Sequence, residues 1–427
     1  MKYALFGLLT VAVLQLRAQI PEAVFVPNIK SAQLYSYGNQ LGYPVIRLNS
    51  SDRVELHFDD LDANIKSYYY TFQLCDADWT PSMLNNFDFI RGFAQQRINT
   101  YRISSIAYTR YTHYQATLPE QNCVPSRSGN YILRVFLNGD TAQTVFTRRL
   151  LVLEDKSVIA AMIQQPFNSE LFRTHQKVQF KVSLNEQLNI TNQFQQVKTV
   201  LLQNWRWDNA ITGIRPTFFV RNVMEYNTES DAVFPGGKEW RWINLRSFRL
   251  QSDRVERANY STTATEIFVK ADVPRPQLSY NFYRDNDGWY SIETTESINP
   301  FWQTDYATVR FTYIPPGNQP YADKDIFLFG KLTGYNLADS FKMVFNEDKG
   351  VYEKALFMKQ GYYDYSYVTL DRNASSNKRT ASFNFTEGNS WETENNYIVL
   401  VYYRSLTGRS DELIGLSVIN SLTSRMR

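Results

Sequence analysis

The sequence predicts an all-β fold built from several β-sandwich units. Aromatic residues make up 15% of the chain, including 29 Tyr and 28 Phe, and such residues favour the pleated, half-buried surface of a sheet. Several short segments alternate apolar with polar side chains, which is the pattern of a strand with one face toward a core. Amphipathic segments with the 3.6-residue spacing of a helix are hard to find.

The clearest strand lies at residues 131–137, which read YILRVFL. Successive side chains of a strand point to opposite faces, so Tyr131 and Leu133 share one face. Ile132 and Phe136 lie on the other face, which predicts that this strand is covered on both sides. Residues 138–140 (Asn-Gly-Asp) predict a tight turn, because Asn and Gly tolerate positive φ, and residues 145–150 return as the second strand of a β-hairpin.

The length and the polar breaks predict three units after an export signal. A chain of 427 residues is long enough for two to four domains. Polar residues 154–156 and the segment around Pro300 mark the boundaries. We therefore expect a signal peptide at residues 1–18, a first unit at 19–155, a second at 156–300 and a third at 301–427.

The first 18 residues have the composition of a secretory signal peptide. Lys2 precedes an apolar run from Tyr3 to Leu14, and Ala18 is a small residue before the expected cleavage site. The run is shorter than the ~20 residues that cross a bilayer, although a short membrane anchor is the alternative interpretation. The mature chain is expected in an exported compartment.

Charge and cysteine content exclude some classes of function. The formal net charge is +3, from 45 basic and 42 acidic residues, so nothing in the composition indicates a nucleic-acid partner. Cys75 and Cys123 fall in the same predicted unit, and an exported compartment permits a disulfide between them. The sequence leaves that pairing open and slightly favours two buried thiols.

The sequence contains no strong signal for catalysis, a metal or a cofactor. His57, His113 and His175 are far apart and have no partner at metal-ligand spacing. Asp76 and Asp78 share a strand face and would suit a hydrolase, but capping of a turn is the favoured interpretation. Residues 285–288 (Asp-Asn-Asp-Gly) resemble the start of a calcium loop without its downstream glutamate, so a hairpin turn is favoured there.

Several motifs in fixed order carry a resemblance to a known family. The segments LCDADWTPS (74–82), YTHYQATLP (111–119) and SGNYILRVF (128–136) resemble the N-terminal domain of the plug protein of the type IX secretion system of Bacteroidota. The resemblance implies a periplasmic, all-β, non-enzymatic protein. Such a protein closes the periplasmic mouth of a large outer-membrane translocon barrel and is expected to bind it as a monomer in a 1:1 complex. The expected fold is a tandem of immunoglobulin-like β-sandwiches. Residues 140–142 (Asp-Thr-Ala) resemble an O-glycosylation sequon of exported Bacteroidota proteins, which leaves Thr141 an open candidate, although a hairpin tip explains Asp140 without it.

The third predicted unit is similar to early-set immunoglobulin-like domains that bind glycogen or starch. The similarity lies in a short apolar strand, Gly330 and the turn at Tyr335-Asn336. A glycan-binding accessory module is therefore the alternative function, with Tyr335 as the stacking residue.

The predicted contact residues for a protein partner are aromatic and arginine side chains, the types most enriched at interface hot spots. Residues 79–93 are aromatic but irregular, which is typical of either a functional loop or a packed Ω-loop. The two WRW segments suggest strands that bracket one aromatic patch, although burial of these tryptophans in a core is an equal alternative. The candidates are Trp79, Phe87, Phe89, Arg91, Phe93, Trp205, Trp207, Trp240, Arg241 and Trp242.

Overall fold

The computed structural model describes residues 20–373 and 380–424. These residues form strands with only short helical turns, so the prediction of an all-β fold is confirmed. The predicted signal peptide at residues 1–18 lies outside the described residues. In the described ranges, no helix is long and apolar enough to cross a membrane.

The strands of the first unit and the helix between them are β1 (Ala23–Val24), β2 (Ile29–Ser36), β3 (Val45–Arg47), β4 (Val54–Asp60), β5 (Tyr68–Cys75), α1 (Asn86–Phe89), β6 (Ile90–Gly92), β7 (Gln96–Arg97), β8 (Thr100–Ile103), β9 (Thr112–Leu118), β10 (Cys123–Pro125), β11 (Gly129–Leu137) and β12 (Thr144–Leu153). One sheet has the order β1-β12-β11-β5-β7, with β3 parallel to β12, and the other has the order β2-β4-β9-β8. A single apolar core contains residues from both sheets.

The hairpin of β11 and β12 forms as predicted. Asn138 and Gly139 have φ values of 57° and 74°, so the tight turn lies where the sequence indicates it. Tyr131 points into the first core, whereas Ile132 packs on the opposite face against residues of the second unit. The strand is therefore covered on both sides.

The following elements are β13 (Ser157–Gln164), β14 (His175–Leu184), α2 (Gln193–Gln196), β15 (Val197–Gln203), β16 (Arg206–Thr212), β17 (Phe218–Val220), β18 (Val223–Tyr226), β19 (Val233–Pro235), β20 (Arg241–Asn244), β21 (Val255–Tyr260), β22 (Thr265–Val269), β23 (Tyr290–Ser291), β24 (Tyr306–Tyr313), β25 (Lys324–Phe329), β26 (Val344–Asn346), β27 (Val351–Lys359), β28 (Tyr362–Asp371), β29 (Asn396–Tyr403) and β30 (Glu412–Asn420). Short 3₁₀ turns occur at Thr141–Gln143, Pro316–Asn318, Lys331–Thr333 and Asp339–Phe341.

Strand pairing groups the later strands differently from a division of the second and third units at residue 300. The last strands, β29 and β30, join β15 and β16 in the order β16-β15-β29-β30 and complete the second unit with β13, β14 and β17–β19. The third unit is formed by β20–β28, which contribute to its two sheets, β21-β22-β24-β27-β26 and β20-β28-β23 with β25. It is thus inserted between β19 and β29. Alternation in a strand predicts its faces but does not identify a partner that is distant in sequence.

Candidate functional site

Solvent exposure divides the ten predicted contact residues. Phe87, Arg91 and Phe93 are exposed, and Trp207 and Trp242 are half-buried. A side chain buried inside the free chain offers no surface to a partner. The remaining five are buried and pack inside the chain: Trp79, Phe89, Trp205, Trp240 and Arg241.

One loop of the first unit presents large apolar side chains to solvent. Met83, Phe87 and Phe93 are 93%, 85% and 64% exposed, respectively. We call these three residues and Arg91 the loop surface. Aromatic and arginine side chains are enriched at the energetic centres of protein interfaces. The loop surface has the chemistry of a protein-binding site.

Buried anchors hold this loop in place. Leu84, Phe89 and Ile90 are buried and belong to the core of the first unit. The Phe93 N–H donates to the carbonyl of Asn122 at 2.6 Å, and the Ser126 N–H donates to the carbonyl of Phe89 at 2.9 Å. In addition, β6 pairs with β10. The exposed rings thus project from a fixed backbone, which lowers the entropy lost on binding.

Gly92 permits the close approach of β6 to β10. Its φ is +98°, and a Cβ at this position would lie 2.3 Å from the carbonyl oxygen of Asn122. A larger residue would force the two segments apart, and Phe93 would move with them.

A cleft of about 390 Å³ adjoins the loop surface through Arg91. Its lining includes Arg47, Arg53 and Asp52, so three arginines face one carboxylate. Arg47 pairs with Asp52 at 2.8 Å, which leaves a net positive cleft. The arrangement suits an acidic segment of a partner, since arginine binds carboxylates with paired hydrogen bonds.

The predicted tryptophan patch is instead a junction between units. Trp79 and Trp207 pack edge to face at 4.9 Å between ring centroids, and the Arg149 guanidinium lies over both rings, at 5.1 and 5.2 Å. Trp205 stacks on Tyr43 at 4.4 Å. These residues come from the first and second units and belong to one buried cluster.

The tryptophans Trp205 and Trp240 of the two WRW segments lie in different clusters. Trp205 lies in the turn between β15 and β16, where Asn204 and Trp205 both have positive φ, and not within a strand as the first WRW segment suggests. Trp240 packs in a separate cluster inside the third unit, with Phe329 and Tyr335.

The carboxylates of the DADW segment also serve this junction. Asp76 accepts from the Asp411 N–H at 3.0 Å and pairs with Arg404 at 2.5 Å. Asp411 in turn accepts from the Ala77 N–H at 2.9 Å. Asp78 accepts from the Thr80 N–H at 2.9 Å, as expected for capping of a turn. Both aspartates are therefore occupied by structural contacts, which does not favour a hydrolase.

Two further predicted residues are structural inside the third unit. Arg241 pairs with Asp272 at 2.6 Å and with Glu387 at 3.0 Å. Tyr335 is only 9% exposed and packs edge to face on Trp240. Its ring offers no face for stacking on a sugar, so the glycan-binding alternative loses its predicted residue.

The sequence did not predict a buried ionic contact between the first and third units. Asp59 on β4 pairs with Lys359 on β27 at 2.5 Å, and His113 Nδ1 lies 2.7 Å from Asp59. His57 Nδ1 lies 3.0 Å from His113 Nε2, and the Tyr306 hydroxyl donates to Asp59 at 2.6 Å. We call these five residues the buried ionic cluster. The only local signal is that His57 and Asp59 are two apart and share a strand face.

Burial shifts the pKa values of the two cysteine thiols and of His113. It raises the pKa of Cys75 and of Cys123 to about 12, so both free thiols are protonated and unreactive near neutral pH. It also lowers the pKa of His113 to about 4, despite the hydrogen bond to Asp59.

Comparisons with known proteins agree with this description. Residues 29–154 match the family model described as type 9 secretion system plug protein 1st domain. The crystal structure of a hypothetical protein from Parabacteroides merdae is similar to the chain, with a TM-score of 0.88 and 29% identity, over 93% of this chain and 98% of the other. No curated protein matches the sequence. The structural similarity extends over 93% of the chain, whereas the family model matches the first unit.

Proposed function

Residues 29–154 belong to the type 9 secretion system plug protein family as its first domain, and from this premise we propose that the chain is a non-enzymatic periplasmic plug. It binds the periplasmic opening of the outer-membrane translocon and occludes it when no cargo is present. The chain reaches the periplasm through a cleaved signal peptide and associates with the inner face of the outer membrane as a monomer, one per translocon.

The observation that carries this proposal is the loop surface. Phe87 and Phe93 are exposed on a backbone that Phe89 and Ile90 anchor in the first core. Exposed aromatic rings are costly in water unless a partner covers them. The family match covers this loop, so the loop surface is the proposed contact with the translocon.

Two junctions make the chain suitable as an obstruction. The cluster around Trp79 and Trp205 fixes the first unit to the second, and the Asp59–Lys359 pair fixes it to the third. A barrel wide enough for folded cargo leaks when it is open, and a rigid block closes it by shape alone. Release when cargo arrives then requires only that the chain bind the translocon more tightly without cargo than with cargo. The immunoglobulin-like identity of the units, and the early-set identity of the last, belong to the same proposal.

The test is co-purification from outer membranes with a Phe87→Ala/Phe93→Ala double variant. The matched control is Phe167→Ala, because Phe167 is 79% exposed but lies in the second unit. The wild-type chain and the control are expected to recover one large outer-membrane barrel, identified by mass spectrometry. The double variant is expected to recover at least ~10-fold less, as the loss of one hot-spot residue costs ~2 kcal/mol or more.

A second measurement addresses occlusion itself. Deletion of the gene is expected to raise entry of a large antibiotic only in cells that retain the translocon, and complementation with the control variant restores the barrier. Unchanged antibiotic entry in the deletion strain would refute occlusion. Equal recovery of the barrel by the double variant would refute the loop surface as the contact.

A further inference from the structure

Three carboxylates meet where the third unit contacts the second. Asp285 and Asp287 lie in the turn before β23, and Glu394 lies just before β29. One ligand oxygen from each residue lies within 4.8 Å of the other two, and all three residues are partly exposed. We call these three residues the acidic cluster.

The oxygen spacing fits a single calcium ion. Ca²⁺ binds oxygen ligands at ~2.3–2.6 Å, so two oxygens on one ion lie at most about 5 Å apart. The three carboxylate oxygens meet this limit pairwise. Sequence reasoning favoured a plain turn because the expected downstream glutamate is missing, but the fold supplies a glutamate from more than 100 residues away in Glu394.

A buried carboxylate without a partner for one of its oxygens adjoins the cluster. Glu239 is 2% exposed. Its Oε1 accepts from the Tyr280 hydroxyl and, at 3.3 Å, from the N–H of Glu394, while its Oε2 has no hydrogen-bond partner. Asp287 Oδ1, inside the cluster, is likewise buried and unpartnered. Leaving such oxygens unsatisfied costs free energy, and a cation held by the acidic cluster would satisfy the oxygen of Asp287.

A neighbouring positive side chain, Arg275, is already paired with another carboxylate. The guanidinium of Arg275 approaches the cluster, but it pairs with Glu387 at 2.5 Å. The folded chain thus holds several carboxylates close together at a cost that a divalent cation would offset.

We propose that the acidic cluster binds one Ca²⁺ ion, which links the turn at residues 285–288 of the third unit to the start of β29 in the second. Asp285, Asp287 and Glu394 supply the carboxylate ligands, and the buried carboxylate of Glu239 adjoins them through the backbone N–H of Glu394. The site stabilises the contact between the two units. It does not depend on the proposed plug function, since its ligands lie outside the first unit.

The test uses the full mature chain after treatment with a chelator. Tb³⁺, which replaces Ca²⁺ at oxygen sites, is added and its emission is followed on tryptophan excitation. Trp240 is close enough to sensitise it, because its backbone N–H donates to Asp285 and its indole ring packs against Gly288. Thermal denaturation with added CaCl₂ gives the second readout. The variant is Asp287→Asn, and the control is Asp348→Asn, in the exposed turn after β26.

The wild-type chain and Asp348→Asn are expected to show sensitised emission that saturates at one ion per chain and is displaced by Ca²⁺ at ~0.1–1 mM, the range of extracellular calcium modules. Both are also expected to melt at a higher temperature with Ca²⁺. Asp287→Asn is expected to fold, because it removes one of several repelling charges. It is expected to bind Tb³⁺ and Ca²⁺ at least ~10-fold more weakly than the wild-type chain. Absence of emission in the wild type, equal binding by both variants, or an equal effect of Mg²⁺ would overturn the proposal.

Discussion

Substitution of Lys359 by Met isolates the charge that joins the first and third units. The side chains have similar volume, so packing is largely kept while the ammonium is lost. In the wild type this ammonium pairs with Asp59 at 2.5 Å and donates to the carbonyl of Phe301 at 2.6 Å. It also lies 4.2 Å from the ring centre of Tyr111. Lys359 is 2% exposed and Asp59 is fully buried, so water cannot replace the lost contacts.

The expected cost follows from the burial of Asp59. Removal of one partner of a buried ion pair leaves the other charge uncompensated and costs ~3–5 kcal/mol of the free energy of unfolding. A double variant, Lys359→Met with Asp59→Asn, is expected to be more stable than Lys359→Met alone, because no buried charge is left without its partner.

The free energy of unfolding that the chain loses on substitution of Lys359 should depend on pH, because His113 titrates beside Asp59. In the wild type, burial lowers the pKa of His113 to about 4 from an ordinary 6.5. Between these values the unfolded chain binds the proton that the folded chain refuses, so wild-type stability falls as the pH drops through this window, by up to about 3 kcal/mol. Without Lys359, the unpaired Asp59 carboxylate favours the protonated form of His113, so the pKa of His113 is expected to rise. The difference between wild type and variant should therefore shrink on acidification.

Urea unfolding at about pH 8 and about pH 5.5, on either side of the ordinary histidine pKa, measures both effects. The control is Lys349→Met, which removes an exposed pair with Glu353 and should cost less than ~1 kcal/mol at either pH. If Lys359→Met costs under ~1 kcal/mol at the higher pH, or costs the same at both, the assigned role of the buried ionic cluster is refuted.

Three further outcomes are expected. Phe89→Ala should lower the free energy of unfolding by ~3–5 kcal/mol in urea titrations, since Phe89 is fully buried, and a value near zero would contradict its role as the loop anchor. Gly92→Ala should lower the melting temperature more than Gly38→Ala, because both have positive φ but only Gly92 has an atom within 4 Å of the added Cβ, and equal melting temperatures would count against the close approach of β6 to β10. Cys75 and Cys123 should resist a thiol reagent near neutral pH until urea unfolds the chain, because burial raises the pKa of each thiol to about 12; rapid labelling of the native chain would disprove their burial.

Local features of the fold could be predicted from the sequence. The turn at residues 138–140 and the alternation of residues 131–137 are properties of neighbouring residues, and the structure has both. The exposed rings of Phe87 and Phe93 also come from a segment recognised by its irregular aromatic composition. In each case the sequence pattern that predicts the feature lies within a short continuous segment, the longest of which is residues 79–93.

Features that depend on distant residues could not be predicted. Lys359 meets Asp59 across 300 residues, and β29 joins β15 although the whole third unit lies between them. The sequence signals the aromatic nature of Trp205 and Trp240 but not whether they face solvent or a neighbouring unit. Burial of a tryptophan is decided by the second surface that covers it, and no local pattern encodes that surface.

Site-specific photo-crosslinking tests the central claim most directly. A photoreactive phenylalanine analogue replaces Phe87 in one strain and Phe167, an equally exposed ring of the second unit, in another, and both are irradiated in intact cells. We predict that position 87 forms a covalent adduct with a large outer-membrane barrel and that position 167 does not. Adducts to that barrel from position 167 alone, or from neither position, would contradict the proposal that the loop surface closes the translocon.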